Sequence, residues 1–113
     1  MNRANDFSFY ASAALMTFMF GCATVPSALE QARQNYQQMQ ADQQITGNAP
    51  VASYEASQAM RRADQTWKEN GDEEEATHLA YLTNKRIQIA RDTAQQKVAE
   101  TEAQQLKQER EKL

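Results

Sequence analysis

The chain's one cysteine, Cys22, closes an apolar stretch: residues 7–20 are 14 positions without a charge, and Gly21 separates them from the thiol. A lone cysteine closes no intramolecular disulfide, and a metal site needs companion ligands. As a nucleophile it needs a base, yet the only histidine, His78, lies 56 positions on. Other residues able to do chemistry are few. Glu74 and His78, four apart, offer at most two ligands on one helical face, so no metal is expected. Asp72-Glu73-Glu74-Glu75 gathers four carboxylates, but at a helix start these suit the positive end of the dipole better than acid–base work. No glycine-rich phosphate loop or nucleophile elbow occurs. With no catalytic constellation to name, the chain is not expected to be an enzyme, and no dissociable cofactor is expected.

The segment ahead of Cys22 decides how that thiol is used. Residues 7–20 as a helix span roughly 21 Å, short of the ~30 Å hydrocarbon core of a bilayer. Such a run, following a weakly charged start with Arg3 and Asp6, fits a cleaved targeting segment. An uncleaved amphiphilic anchor or a buried apolar helix are the alternatives. Met19-Phe20-Gly21-Cys22 resembles the lipobox of bacterial lipoproteins, with Met and Phe where that pattern prefers Leu and Ser or Ala. The resemblance implies cleavage between Gly21 and Cys22, then a diacylglycerol on the sulfur and an N-acyl chain. Each buried methylene contributes about 0.8 kcal/mol, so several chains anchor the protein almost permanently. Ala23, where an Asp would retain the product in the inner membrane, implies the periplasmic face of the outer membrane.

Cleavage leaves 92 residues, enough for one small core. Arg3 and Asp6 leave together, so the side-chain charge stays at −3. Nucleic acid is not an expected partner for so acidic a surface. The basic doublets Arg61-Arg62 and Lys85-Arg86 are read as solvated helix faces. The 15 glutamines, mixed with Ala, Glu, Lys and Arg, favour helix over disorder.

The pattern predicts an all-α chain of three helices. Ser27 with Glu30 forms a capping-box pattern after Pro26, and helix one is expected to run to about Thr46 and stop at Gly47. Its apolar stripe is Leu29, Ala32, Tyr36 and Met39, with Gln43 in phase. Pro50 opens helix two, expected over residues 51–69 with Ala52, Ala56, Ala59, Ala63 and Trp67 inward and Tyr54 and Met60 flanking. Tyr36, Tyr54, Trp67 and Tyr81 are expected at the core and its edge. Asn70-Gly71 ends helix two, and Asp72 with Glu75 caps helix three. So short a connection makes the two antiparallel. Helix three carries Ala76, Leu79, Ala80, Thr83, Ile87, Ala90, Ala94 and Val98, widened by Leu82, Arg86 and Ile89. Nothing breaks it before Leu113, so it outruns its partners. Beyond about Ala94 it is either a solvated helix or a seam for a partner. Ala99, Ala103, Leu106, Arg110 and Leu113 keep a 4-3-4-3 spacing there.

The acidic cap followed by His78-Leu79-Ala80-Tyr81-Leu82, with Leu29 to Tyr36, Ala49-Pro50-Val51, Arg86, Ile89, Ala90 and Ala94, resembles the bacterial envelope family called domain of unknown function 4398. The likeness covers residues 23–113. It implies a lipoprotein between outer membrane and wall, since some members precede an OmpA-like peptidoglycan-binding domain. An OmpA-like domain in the same chain is not expected. Lys112 sits one place short of the terminal lysine by which abundant lipoproteins join the wall, so it is read as a helix-end cation.

The expected organisation is a signal peptide at 1–21, a lipid-anchored linker at 22–26, a small antiparallel three-helix domain at 27–98 and a helical extension at 99–113. The expected role is a non-enzymatic scaffold or adaptor for an envelope partner such as an OmpA-like protein. Val98, Ala99, Ala103, Leu106 and Leu113 are the expected contact. The alternative is a homo-oligomeric spacer between outer membrane and peptidoglycan.

Overall fold

The computed structural model describes residues 24–113, and every regular element among them is helical. Four helices follow in order: α1 (Ser27–Ala41), α2 (Gln43–Asn48), α3 (Pro50–Asn70) and α4 (Glu73–Glu111). The all-α class is thus observed, with one helix more than the pattern predicts.

The extra helix comes from Asp42. Its backbone is extended (φ −90°, ψ 101°), and its carboxylate accepts a hydrogen bond from the Gln44 N–H at 2.9 Å. A short acidic side chain competes for backbone donors, so it ends one helix and caps the next. The helix expected over residues 27–46 therefore breaks. The restart turns Ile45 inward against Met39, Ala49 and Ala56, while Gln43 stays exposed. Gly47, expected as a left-handed stop, lies inside α2. Ala49 ends that helix, donating its N–H to the Ile45 carbonyl at 2.8 Å.

The start of α1 also differs. Pro26 is the N-cap, and its carbonyl accepts the Glu30 N–H at 3.1 Å with no side-chain cap. Ser27 is already helical, so the expected capping box has no place to form. Glu30 instead pairs with Arg33 at 3.3 Å.

Between α3 and α4 the expected signals operate. Gly71 takes φ 61°, the only positive φ among the described residues, and donates its N–H to the Trp67 carbonyl at 3.0 Å. Asp72 then caps α4 by accepting the Glu75 N–H at 3.1 Å. The chain reverses within two residues, and Arg86 of α4 comes back beside Glu55 of α3 at 3.0 Å.

Two clusters form the core. One joins Leu29, Ala32, Met60, Ala63 and Ala80; the other joins Met39, Ile45, Ala49, Ala56, Ile87, Ala90 and Ala94. The start of α1 therefore meets the end of α3 and the start of α4, so α1 runs antiparallel to α3 and parallel to α4. Tyr36, half-buried, touches both clusters.

On α4 the buried positions are Ala76, Ala80, Thr83, Ile87, Ala90 and Ala94, a strict 4-3-4-3-4 spacing. Leu79 and Val98 are half-buried, whereas Leu82, Arg86 and Ile89, expected to widen the stripe, are exposed. On α3 the buried set is Ser53, Ala56, Met60 and Ala63, with Ala52, Ala59 and Trp67 half-buried. The contact face is thus rotated toward Ser53 and Met60 from the expected line. Tyr54 and Tyr81 are exposed rather than at the core edge.

The two glycines should respond in opposite ways to substitution. Gly71→Ala forces a side chain into the left-handed region and should cost about 1 kcal/mol or more. Gly47→Ala meets nothing within 4 Å inside a helix and should stabilise by about 0.5–1 kcal/mol. Urea melts followed by circular dichroism read both, and equal effects would contradict the placement of α2.

Candidate functional site

Gly21 and Cys22 lie outside the described residues. The nearest described apolar side chain, Val25, packs against Leu29, Ala32, Met60, Ala63 and Ala80. The chain therefore enters the helical body at the end where α3 turns into α4. Because α4 runs parallel to α1, its C-terminus lies at the opposite end. With 39 residues, α4 is about 58 Å long.

Ala94 is the last buried residue, and from Ala99 onward every side chain is exposed. Val98 stands apart from the rest of the expected contact set. It faces α2 and lines a groove of about 430 Å³ with Asp42, Ile45, Arg91 and Ala94, at whose rim lie Ala99 and Glu102. At 100° per residue, Val98 sits roughly 40° from the buried seam of α4, whereas Ala99, Ala103 and Leu106 sit roughly 120–180° away and Leu113 lies just past the helix end. Val98 thus finishes the body, Ala99 lies exposed at the edge of the same groove, and Ala103, Leu106 and Leu113 lie open beyond it.

A second surface brings together residues that sequence spacing keeps separate. Arg62 from one basic doublet and Lys85-Arg86 from the other converge on a groove of about 180 Å³ floored by Ala59, Leu79, Leu82 and Ile89. The reversal at Gly71-Asp72 puts residue 55 about level with residues 86–88, and that was the signal available in the sequence. Glu55 holds Arg86, and the Lys85 ammonium lies 5.1 Å from the centre of the Tyr81 ring.

The strongest ion pair fastens helices together. Arg33 donates from Nε to Asp64 Oδ1 at 2.7 Å and from a terminal nitrogen to Glu30 at 3.3 Å. The hydrogen bond to Asp64 raises the guanidinium's pKa above its ordinary value against an opposing contribution from burial. Asn35 and Asn84 are joined at 2.9 Å, fastening α1 to α4. His78 and Glu74 are both exposed, and no three His, Cys, Asp or Glu side chains among the described residues are placed to hold a metal. No described helix is long and apolar enough to cross a membrane.

Residues 27–106 match the family model described as Domain of unknown function (DUF4398). The chain belongs to the DUF4398 family. In this DUF4398 chain the match begins at the first residue of α1 and extends to Leu106, well into the exposed part of α4. The family unit thus includes helix that the body does not cover. Comparison with curated proteins and with solved structures finds no match.

Ending the chain after Ala99 removes no buried side chain. The truncated domain should keep its unfolding free energy within about 1 kcal/mol of the parent. A larger loss in a denaturant melt would mean that residues 100–113 are packed.

Proposed function

We propose that this chain is a non-enzymatic lipoprotein of the outer membrane, facing the periplasm. Its antiparallel helical body, built from α1, α3 and α4 with α2 closing one end, is a scaffold for an envelope partner such as an OmpA-like protein. The anchor is a diacylglycerol on the Cys22 sulfur together with an N-acyl chain, after cleavage at Gly21.

The supporting observation is the polarity of the body. Val25 packs against the core cluster that lies nearer the α3–α4 turn. Two residues, Ala23 and Thr24, separate it from Cys22, and the three peptide steps reach at most about 11 Å. A lipid there holds the turn close to the bilayer, while α4 carries its uncovered end about 58 Å along the molecule. Tether and exposed helix therefore occupy opposite ends, the arrangement a tethered adaptor needs. The scaffold contact is assigned to Ala99, Ala103, Leu106 and Leu113. A self-associating spacer between outer membrane and peptidoglycan is the second reading, favoured by the apolar residues left open on α4.

Cys22→Ser should abolish incorporation of labelled palmitate and move the chain from the membrane to the soluble fraction. Palmitate incorporation that survives the substitution removes the anchor on which the assignment rests.

A further inference from the structure

The exposed face of α4 carries a second seven-residue pattern, opposite its buried one. Counted in heptads, one set of seam positions holds Ile89, Gln96, Ala103 and Arg110. The other holds Asp92, Ala99, Leu106 and Leu113. All eight are exposed, with Ile89 at 47% and Leu106 at 56%. This strip takes in the exposed Ile89 and Leu106 of α4 and Leu113 just beyond its end, leaving out Leu82. Three positions break the apolar pattern: Gln96 is neutral, and Asp92 and Arg110 carry opposite charges.

We propose that a second copy of this chain covers that face, with the two α4 helices antiparallel from residue 89 to their ends and Leu113 just past the helix. Charge decides the direction. Two parallel copies in register set Asp92 against Asp92 and Arg110 against Arg110, like charges at the seam. In one antiparallel register Asp92 meets Arg110 of the second copy, Ile89 meets Leu113, and Gln96 meets Leu106. Ala99 then meets Ala103 at the centre, where small side chains let the backbones approach. Twofold symmetry makes each contact twice. Sliding the pair by one heptad sets Arg110 against Lys85 or Ala99, so only this register neutralises both charges.

The structure leaves these groups free to pair. Among the described residues Arg110 makes no ion pair, and Asp92 accepts one hydrogen bond, from Gln88 at 2.8 Å. A charge at a seam position lowers helix–helix affinity in general but fixes register and orientation. Arg110, a flaw in a one-chain view of the stripe, becomes its orienting element. The body does not obstruct the contact, because α1 and α3 lie on the buried side of α4. The starts of the two α4 helices would stand about 84 Å apart. A pair tethered at both ends would therefore lie along a bilayer.

This proposal deepens the second reading, self-association through the uncovered face of α4, and sets it against an envelope partner for that face; it does not depend on the lipid. Sedimentation equilibrium of the full chain in detergent micelles tests it. The parent chain should dimerise. Asp92→Arg or Arg110→Asp alone should weaken dimerisation by about tenfold or more, and the two together should restore it. A chain that stays monomeric at about 100 μM overturns the proposal, as does a dimer indifferent to both reversals. In a Cys22→Ser background, Ile89→Cys with Leu113→Cys should give a disulfide-linked dimer on oxidation. Efficient linkage by Leu113→Cys alone means parallel helices and refutes the register. A monomer that still cross-links to one reproducible envelope protein in cells would sink self-pairing while leaving the scaffold assignment intact.

Discussion

Close approach of α3 and α4 along small side chains is the constraint on which the rest of this molecule depends. Eight of the thirteen buried apolar residues among those described are alanines, including Ala56 and Ala63 on α3 and Ala76, Ala80, Ala90 and Ala94 on α4. Alanine buries little apolar area but loses no rotamer freedom, so its contribution comes from letting backbones come near. A pair of helices joined this way is thinly covered. The larger apolar volume has to arrive from α1, whose Leu29 and Met39 are almost wholly buried, together with Ile87 from α4. That is why α1 is required and why the core divides into two clusters, one around each bulky contribution.

Polar contacts set how the helices slide against one another. Arg33–Asp64 links α1 to α3, Asn35–Asn84 links α1 to α4, and Glu55–Arg86 links α3 to α4. All three retain solvent exposure, so each is worth little in isolation. Together they oppose the half-turn slips that an alanine seam, with few bulky knobs, resists poorly. Ser53 is the one internal polar group among the described residues without a partner, a small flaw on the face that α3 turns inward.

The sequence announces the parts of this fold that depend on backbone chemistry with a single solution. Pro50 at a helix start, glycine at the turn and Asp72 three residues before Glu75 all work locally, so α3 and α4 are legible without any tertiary knowledge. The break at Asp42 is not. Its flanks are glutamines with good helix propensity, and only the choice of Asp42 to cap Gln44 separates α1 from α2. Gly47 misleads for the complementary reason, since glycine tolerates a helix interior when nothing demands a left-handed residue. The stripe on α4 is legible in its spacing but not in its width. Leu82 and Ile89 look like core by residue type, yet an alanine seam draws the helices so near that flanking positions fall outside the contact. For the same reason Val98 belongs with the body while Ala99 and its successors do not, a division that sequence spacing alone does not reveal.

The uncovered part of α4 has a thermodynamic consequence of its own. A free peptide of that length is marginal as a helix in water, because starting the first hydrogen-bonded turn is unfavourable while lengthening an existing one is not. Here the first turns are already held by the packed body, and the exposed residues only prolong them. Backbone opening should start at the C-terminal tip and stop near Ala94, where burial begins. Whatever comes to lie against this segment meets a strand of backbone already wound, and much of the ordering entropy that a disordered tail would lose on association has been removed in advance.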